Sequence, residues 1–323
     1  MKRSLTTLIF SAAAGAFLAG CGGGDNGASG GASGGGPTVG FAQAGAESAW
    51  RVAETRSIRE EAAARGVDLK FSDAQGKQEN QIAAVRNFIA QGVDAIIIAP
   101  IVKTGWEGVL TEASDAGIPV VLVDRGVEAS AGLYATLIAS DFVAEGRMAG
   151  EWIAEETGSQ AKIIELQGTP GADPAIDRKE GFDEVVAENP GMTIIASQNG
   201  DFNIAKGKEV MEALLTQHKD EVTAVYAHND DMALGAIQAM EGAGKKPGED
   251  VLVISIDGGK GAFQAMVDGT LNCAVECNPL LGPMAFDAVE KALAGEELPE
   301  KIVVETRVFD QSQAADLIAD RKY

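Results

Sequence analysis

The chain has 323 residues, of which 46% are hydrophobic and 23% charged, a globular composition at a length that predicts about two domains. The 26 Lys and Arg residues against 48 Asp and Glu residues give a formal net charge of -22, which excludes nucleic acid and anionic lipid headgroups as favoured partners. Three cysteines do not make a disulfide framework, and we predict Cys273 and Cys277 to be small buried residues too far apart to bridge.

The first twenty residues have the pattern of a secretory signal. Lys2 and Arg3 precede an apolar run from Leu5 to Leu18, which is too short to span a bilayer comfortably. Residues 18–21, Leu-Ala-Gly-Cys, resemble the lipobox of bacterial lipoproteins, and this resemblance implies that Cys21 is acylated. We therefore predict a lipoprotein signal peptide over residues 1–20. The alternative is an ordinary secretory signal with a chance cysteine.

Residues 21–37 contain the predicted lipidated Cys21 and then almost only Gly, Ala and Ser. Such a composition cannot bury apolar surface and behaves as a flexible coil. We therefore predict a tether that holds a folded body at the membrane through its lipid anchor, in the periplasm or at the cell surface.

Beyond Pro37 short β-branched apolar runs alternate with helical patterns, which predicts an α/β fold with parallel sheets. The predicted strands end at Phe41, Ala99, Asp124, Gln167, Gln198, Asn229 and Asp257. The predicted helices span residues 50–65, 78–91, 105–116, 142–157, 178–188, 204–217 and 231–243. Glycines 92, 117, 158 and 244 follow four of these helices in the manner of C-caps.

Polar side chains follow several of the predicted strands, among them Asp124, Asn229 and Asp257. A single such residue is readily explained as a turn or cap, but ligands of open parallel sheets bind at the carboxyl ends of the strands, so the group indicates a site. No dinucleotide fingerprint, P-loop, nucleophile elbow or metal-ligand spacing accompanies them. We therefore expect no cofactor, no metal and no catalysis, and hydrogen bonding to a neutral sugar.

Ten segments of the body resemble the ribose/galactose class of periplasmic binding proteins of ABC importers, with the galactofuranose binders as the most similar members. They are residues 39–43, 47–51, 78–81, 92–96, 118–125, 165–168, 176–179, 207–211, 228–232 and 255–258. The resemblance extends from Val39 to about Val304. It implies a type I periplasmic binding protein fold, in which two Rossmann-like lobes with parallel sheets are joined by three crossover segments.

The resemblance also implies where the lobes begin and end. Crossings near residues 140–141, 277–278 and 305–306 give an N-terminal lobe of residues 38–140 plus 278–305. The C-terminal lobe is then made of residues 141–277 plus 306–323.

The same resemblance implies a set of ligand-binding residues. The first lobe supplies Glu47, Ser48, Trp50, Arg51, Asp124 and Arg125, and the second supplies Arg178, Phe202, Asn229 and Asp257. Each has another interpretation from its residue type alone. The two aromatic residues could be plain core, the arginines at 125 and 178 solvated surface charges, and the last two residues caps or turns.

The implied function is capture of a monosaccharide by a monomeric receptor that delivers it to an ABC permease and its ATPase subunits. The ribose binders have a glutamine where this chain has Cys277, and residues 47–51 resemble those of galactofuranose binders, so we expect galactofuranose or a similar hexose. The alternatives are another sugar, such as ribose, galactopyranose or inositol, a sugar receptor for chemotaxis or two-component signalling, and an enzyme acting on sugars.

Overall fold

A computed structural model describes residues 36–323 as two six-stranded sheets with helices packed against them. The predicted signal peptide, Cys21 and most of the tether lie outside the described residues. The strands of the first sheet are β1 Thr38–Gln43, β2 Asp68–Asp73, β3 Ala95–Ile98, β4 Val120–Val123, β5 Thr136–Ser140 and β11 Lys301–Val304. Those of the second are β6 Ala161–Gln167, β7 Met192–Asn199, β8 Ala224–Ala227, β9 Leu252–Asp257, β10 Cys273–Glu276 and β12 Val308–Asp310.

Helices lie between most successive strands, and α10 follows the last strand. They are α1 Ala49–Ala64, α2 Gln78–Gln91, α3 Glu107–Asp115, α4 Phe142–Thr157, α5 Asp173–Glu188, α6 Ile204–His218, α7 Asp230–Gly242, α8 Lys260–Val267, α9 Gly282–Leu293 and α10 Ala314–Leu317. The first sheet has the order β11-β5-β4-β3-β1-β2 and is parallel throughout. The second has the order β12-β10-β9-β8-β6-β7, with only β12 antiparallel to its neighbour.

The chain passes between the two sheets three times, after β5, after β10 and after β11. All three passages leave strands at the same side of the two sheets, because β5 and β11 form one edge of the first sheet and β10 and β12 the matching edge of the second. This architecture confirms the predicted α/β class with two parallel-dominated sheets and three crossover segments.

The predicted helices 78–91 and 142–157 have the observed bounds, and the four predicted C-cap glycines all have positive φ. Helix α5 was predicted to begin at Arg178 but begins at Asp173, where Pro174 stands in its first turn as proline commonly does. The strands β2, β5, β10, β11 and β12 were not predicted as strands. Three of them, β2, β11 and β12, are outermost strands that are partly exposed, and each is too short or too mixed in polarity to give a long apolar run.

The alternation of side chains along β3 shows that the first sheet is buried on both faces. Ile97 belongs to the cluster of Trp50, Ile58 and Phe286, whereas Ile96 belongs with Phe88 on the opposite face. A parallel strand covered on both faces needs an unbroken apolar run, and residues 95–98 supply one. Cys273 and Cys277 are buried and free, as predicted.

Two glycines allow α4 and α5 to pack with their backbones in contact. A Cβ atom on Gly146 would lie 2.0 Å from the carbonyl oxygen of Arg178, and one on Gly181 would lie 2.0 Å from the carbonyl oxygen of Val143. Backbone atoms cannot be displaced as a flexible side chain can, so any larger residue pushes the helices apart. This contact fixes the position of Arg178, which is central to the site below.

We expect Gly181→Ala to lower the free energy of unfolding by about 1–3 kcal/mol, because the added methyl group overpacks the contact with α4. The control is Gly108→Ala on the exposed face of α3, where an added Cβ meets no atom within 4 Å. There the higher helix propensity of alanine should leave stability unchanged or raise it by up to about 1 kcal/mol. Urea denaturation of both variants measures the difference, and equal midpoints would contradict the prediction.

Candidate functional site

A narrow cavity of about 20 Å³ lies where the carboxyl edges of the two sheets face each other. One wall consists of residues that follow β1 and β4, namely Glu47, Ser48, Trp50, Arg51, Asp124 and Arg125. The other wall consists of Pro174, Arg178, Phe202, Asn229 and Asp257, with Cys277 at the second crossing. The structure therefore brings together all ten residues that the sequence suggested.

Arg51 is the centre of the first wall. The Ser48 hydroxyl caps α1 by accepting from the Arg51 backbone N–H at 3.1 Å, which places Arg51 in the first helical turn. Its buried guanidinium lies 2.5 Å from Asp124 Oδ2, 2.5 Å from Glu54 Oε2 and 3.3 Å from Glu47 Oε1. Burial by itself lowers the pKa of Arg51, but these carboxylates raise it well above its ordinary value. The arginine is therefore a permanent charge.

Arg125 lies beside Arg51 and shares its carboxylates. Its Nε is 3.3 Å from Asp124 Oδ2, its Nη2 is 3.3 Å from Glu47 Oε1, and its Nη1 donates to the Ile101 carbonyl oxygen at 3.1 Å. Burial would raise the pKa of Glu47, yet the two guanidinium groups hold that pKa below its usual value. The Asp124 backbone has φ 64°, a strained value that turns its carboxylate toward both arginines.

Arg178 plays the corresponding role in the second wall. Its Nε lies 2.9 Å from Glu145 Oε2 on the neighbouring α4, and its Nη1 donates to the His228 carbonyl oxygen at 2.6 Å. The guanidinium also lies 5.3 Å from the centre of the Phe142 ring. Arg125 and Arg178 are only 4% and 3% exposed, so the alternative interpretation of both as solvated surface charges is wrong.

A cluster of polar side chains supports Arg178 from behind. The fully buried Glu165 carboxylate contacts His228 Nε2 at 3.1 Å, Lys179 Nζ at 3.2 Å and the Ser197 hydroxyl. Burial alone would raise the pKa of Glu165, but the hydrogen bonds from His228 and Ser197, together with the charge of Lys179, bring it to about 2. Burial lowers the pKa of His228, and its backbone carbonyl is the acceptor for Arg178.

The aromatic residues line the cavity and also belong to the core. Trp50 is 7% exposed, and its indole Nε1 donates to the Cys277 carbonyl oxygen at 2.7 Å. Phe202 lies with its ring 5.4 Å from the Arg125 guanidinium of the opposite wall. Its ring fits only because residue 168 is a glycine, since a Cβ there would lie 1.9 Å from the Phe202 ring. Trp50 and Phe202 are therefore both core residues that also line the cavity.

Asn229 and Asp257 differ in how far their side-chain hydrogen-bonding atoms already have partners within the protein. Asn229 caps α7, because its Oδ1 accepts from the Met232 N–H at 3.0 Å while its Nδ2 donates to the Phe202 carbonyl at 3.2 Å. The cap interpretation of Asn229 is therefore confirmed. Asp257 has φ 125°, and burial together with the nearby Asp230 carboxylate raises its pKa well above the usual range. A protonated Asp257 both donates and accepts a hydrogen bond.

Several further contacts join the two walls. Asp173, at the start of α5, places one carboxylate oxygen 2.5 Å from Lys103 Nζ and the other 2.9 Å from the Gly126 N–H. Asp231 of α7 accepts from the N–H of Ala49, the first residue of α1, at 3.1 Å. Both carboxylates thus satisfy backbone donors of the opposite wall, and one of these is a helix N-terminus.

Sequence reasoning missed Pro174 as a lining residue and Glu54, Glu145 and Asp173 as supporting ones. The pair Asp173-Pro174 had a recognisable signal, since Pro in the first turn marks a helix start at the end of a strand-to-helix loop. Glu54 had the i,i+3 spacing to Arg51 that allows an ion pair on one helix, but nothing local indicated its burial, and Glu145 gave no signal at all. Each lies within a helix and resembles an ordinary solvated glutamate until the fold buries it against an arginine.

Within residues 36–323, no group of three or more His, Cys, Asp or Glu side chains is arranged to hold a metal ion. In the same range no helix is both long and apolar enough to cross a bilayer.

A family model described as periplasmic binding protein domain matches residues 39–297 of this chain. The chain belongs to the periplasmic binding protein family. It is 51% identical over 271 residues to the galactofuranose-binding protein YtfQ of Escherichia coli (strain K12), an alignment that covers 83% of this chain and 85% of that protein. Members of the family with this similarity are substrate-binding transport proteins, not enzymes.

Solved structures of furanose-binding proteins are also similar. The arabinose-transporter binding protein of Shewanella sp. ANA-3, bound to L-arabinofuranose, is 52% identical with a TM-score of 0.86, covering 88% of this chain and 95% of that one. A protein from Mycobacterium smegmatis in complex with β-D-fucofuranose is 50% identical with a TM-score of 0.87, covering 89% and 96%. The expected family and fold are thus confirmed.

We expect Glu165→Gln to lower the free energy of unfolding by about 3 kcal/mol at pH 7, because the folded-state pKa of about 2 lies below the ordinary 4.5. A lowered pKa contributes stability that is complete above pH 4.5 and is lost as the pH falls toward 2. The difference from the parent should therefore shrink to about 1 kcal/mol at pH 3.

Urea denaturation at the two pH values measures this difference. Glu212→Gln, on the exposed face of α6, is the matched control and should change stability at neither pH. A loss of equal size at pH 7 and pH 3 would show that the Glu165 charge contributes nothing to the cluster.

Proposed function

We propose that this chain captures one neutral monosaccharide, galactofuranose or a similar furanose hexose, between two lobes and delivers it to an ABC permease outside the cytoplasm. The observation that carries the proposal is the cavity between the sheets, where three arginines held by carboxylates converge with two aromatic rings. Planar charged groups bind two neighbouring hydroxyls at once, and an aromatic ring covers the C–H face of a sugar.

The charge balance of the two walls favours a neutral ligand. The first wall and its support hold two guanidinium groups and three carboxylates, and the second holds one guanidinium with the carboxyls of Glu145 and Asp257. Three guanidinium groups thus stand against five carboxyl groups, and burial raises the pKa of three of these carboxyls, Glu54, Glu145 and Asp257. The site therefore has no excess of positive charge with which to select an anion.

The lobes we propose are residues 38–140 plus 278–305 and residues 141–277 plus 306–323. Each sheet falls within one of them. Entry of a sugar into so narrow a cavity requires the walls to separate, and the three crossings, which all lie on one side, provide the hinge. On closing, the contacts of Asp173 and Asp231 with the opposite wall form together with the contacts to the ligand.

The furanose preference rests on the relatives and on Cys277. The similar proteins are described as binding galactofuranose, arabinofuranose and fucofuranose. Cys277 lines the cavity where ribose binders have a glutamine, and a buried thiol makes only weak hydrogen bonds. A pentose that needs this amide therefore loses a contact, whereas Glu47 and Arg51 offer charged partners to the exocyclic diol of a hexose.

The proposal extends to the partners and the anchor. The family role implies a permease with ATPase subunits as the partner, and the receptor itself is proposed as a monomer without cofactor or enzymatic activity. Residues 1–20 are proposed to be a signal peptide, and acylated Cys21 is proposed to hold the protein at the membrane.

We expect galactofuranose to raise the melting temperature of the stripped protein more than ribose, galactopyranose or inositol. A ligand at concentration c that binds only the folded state stabilises it by RT ln(1 + c/Kd), which is larger for the tighter binder at equal concentration. In Asp257→Ala the galactofuranose affinity should fall about tenfold to a hundredfold, since a sugar hydroxyl loses its partner in a dry site. Thermal-shift assays and calorimetry measure these effects. A large shift with ribose and none with galactofuranose would contradict the proposed ligand.

Cys21→Ser should give a protein that binds galactofuranose as the parent does but no longer fractionates with membranes, because no acyl chain can be attached. Cys273→Ser is the matched control, since its thiol is buried in the core, and this variant should remain in the membrane fraction. Fractionation of cells that express each variant decides the point. A Cys21→Ser protein that still sediments with membranes and is released by detergent would refute the anchor.

A further inference from the structure

A second and larger cavity, of about 530 Å³, adjoins the narrow cavity of the site, which we call the inner cavity. The two cavities share Glu47 and Arg125, whose side chains are 3.3 Å apart and separate one space from the other. Its size lies within the range of about 300–1,000 Å³ that is usual for small-molecule sites. We call this space, defined by Glu47, Arg125, Gln75, Thr169, Asp201 and Lys206, the outer chamber.

The outer chamber lies on the side of the cleft away from the crossings. Its first-sheet residues follow β1, β2, β3 and β4, and its second-sheet residues follow β6 and β7. The strands β2 and β7 are the edges opposite β11 and β12, beside which the chain crosses between the sheets. A ligand in the inner cavity could therefore extend into the outer chamber without meeting a crossing segment.

Residues of both lobes line the outer chamber, as they do the inner cavity. Asn203, from the second lobe, donates to the Glu47 carbonyl oxygen of the first at 3.4 Å and lines the chamber. Asp201 and Phe202 have φ values of 55° and 57°, and this backbone turn places Phe202 on the inner cavity while Asp201 lines the outer chamber. One strained loop thus serves both spaces.

The lining of the outer chamber combines a larger apolar surface, from residues such as Ala44 and Ile101, with a balanced set of charged and polar side chains, which suits the C–H faces and hydroxyls of a neutral sugar. Two carboxylates, Glu47 and Asp201, balance two cations, Arg125 and Lys206, so a phosphate has no excess of positive charge to bind. Gln75, Thr169 and Asn203 add amide and hydroxyl groups that donate and accept hydrogen bonds. Such a mixed set matches the hydroxyls of a second sugar residue.

We propose that the ligands of this protein include furanosides of disaccharide size, with the furanose ring in the inner cavity and a second neutral sugar residue in the outer chamber. This inference rests on the proposed function, because it needs a furanose bound between Trp50 and Asp257. It extends the substrate class from free monosaccharides to glycosides.

The test compares galactofuranose with a disaccharide in which galactofuranose is linked to a second hexose, by calorimetry on the full chain purified in detergent. The parent should bind both with dissociation constants within about tenfold of each other. Ala46→Trp fills the outer chamber from an exposed loop position that is not part of the inner cavity. This variant should weaken disaccharide binding by more than about tenfold while galactofuranose binding changes less than about twofold.

Ala46→Ser is the matched control and should bind both sugars as the parent does. A parent that binds galactofuranose but binds the disaccharide more than about a hundredfold less tightly overturns the inference alone. An Ala46→Trp variant that weakens both sugars equally, or neither, also overturns it. A parent that binds neither sugar overturns the inference together with the proposed furanose ligand.

Discussion

The buried guanidinium groups on both sides of the cleft are the constraint on which the rest of the structure depends. An arginine removed from water must be paired and hydrogen-bonded, because an isolated buried charge is prohibitively unstable. Arg51 meets this requirement through Glu54 and Asp124, and Arg178 through Glu145 and the carbonyl of His228. Each arginine is thus satisfied by groups of its own wall, so both walls present fixed donors to whatever enters between them.

The pairing of these arginines depends in turn on how the neighbouring helices and strands pack. Arg178 stays beside Glu145 only because α4 and α5 approach closely at two glycines, and the His228 backbone is held by the Glu165 cluster below it. In the first wall, the cap on α1 and the strained backbone at Asp124 direct two side chains toward one point. Preorganised groups of this kind lose little entropy when they bind, which favours affinity for a small polar ligand.

The contacts between the walls are compatible with the proposed opening of the cleft. The polar groups that join them include Asp173 with Lys103 and Gly126, Asp231 with Ala49, and Asn203 with the Glu47 carbonyl. All of these partners can be solvated when the walls separate, so opening exchanges protein hydrogen bonds for water at modest cost. The buried arginine pairs, by contrast, remain within one wall. Such a division fits the proposed opening, in which the lobes move as bodies and each half of the site keeps its geometry.

The sequence by itself determined the α/β class and the approximate positions of seven of the ten described helices, because apolar periodicity is a local pattern, and the long family motifs pointed to ten residues that line the cavity. Only the tertiary structure decided that Glu54 and Glu145 are buried with arginines, that the Asn229 amide also donates to the Phe202 carbonyl, and that an outer chamber adjoins the site. The physical reason is that burial, cavity shape and pairs such as Arg51 with Asp124 and Arg178 with Glu145 arise between segments distant in the chain, where no local spacing indicates them.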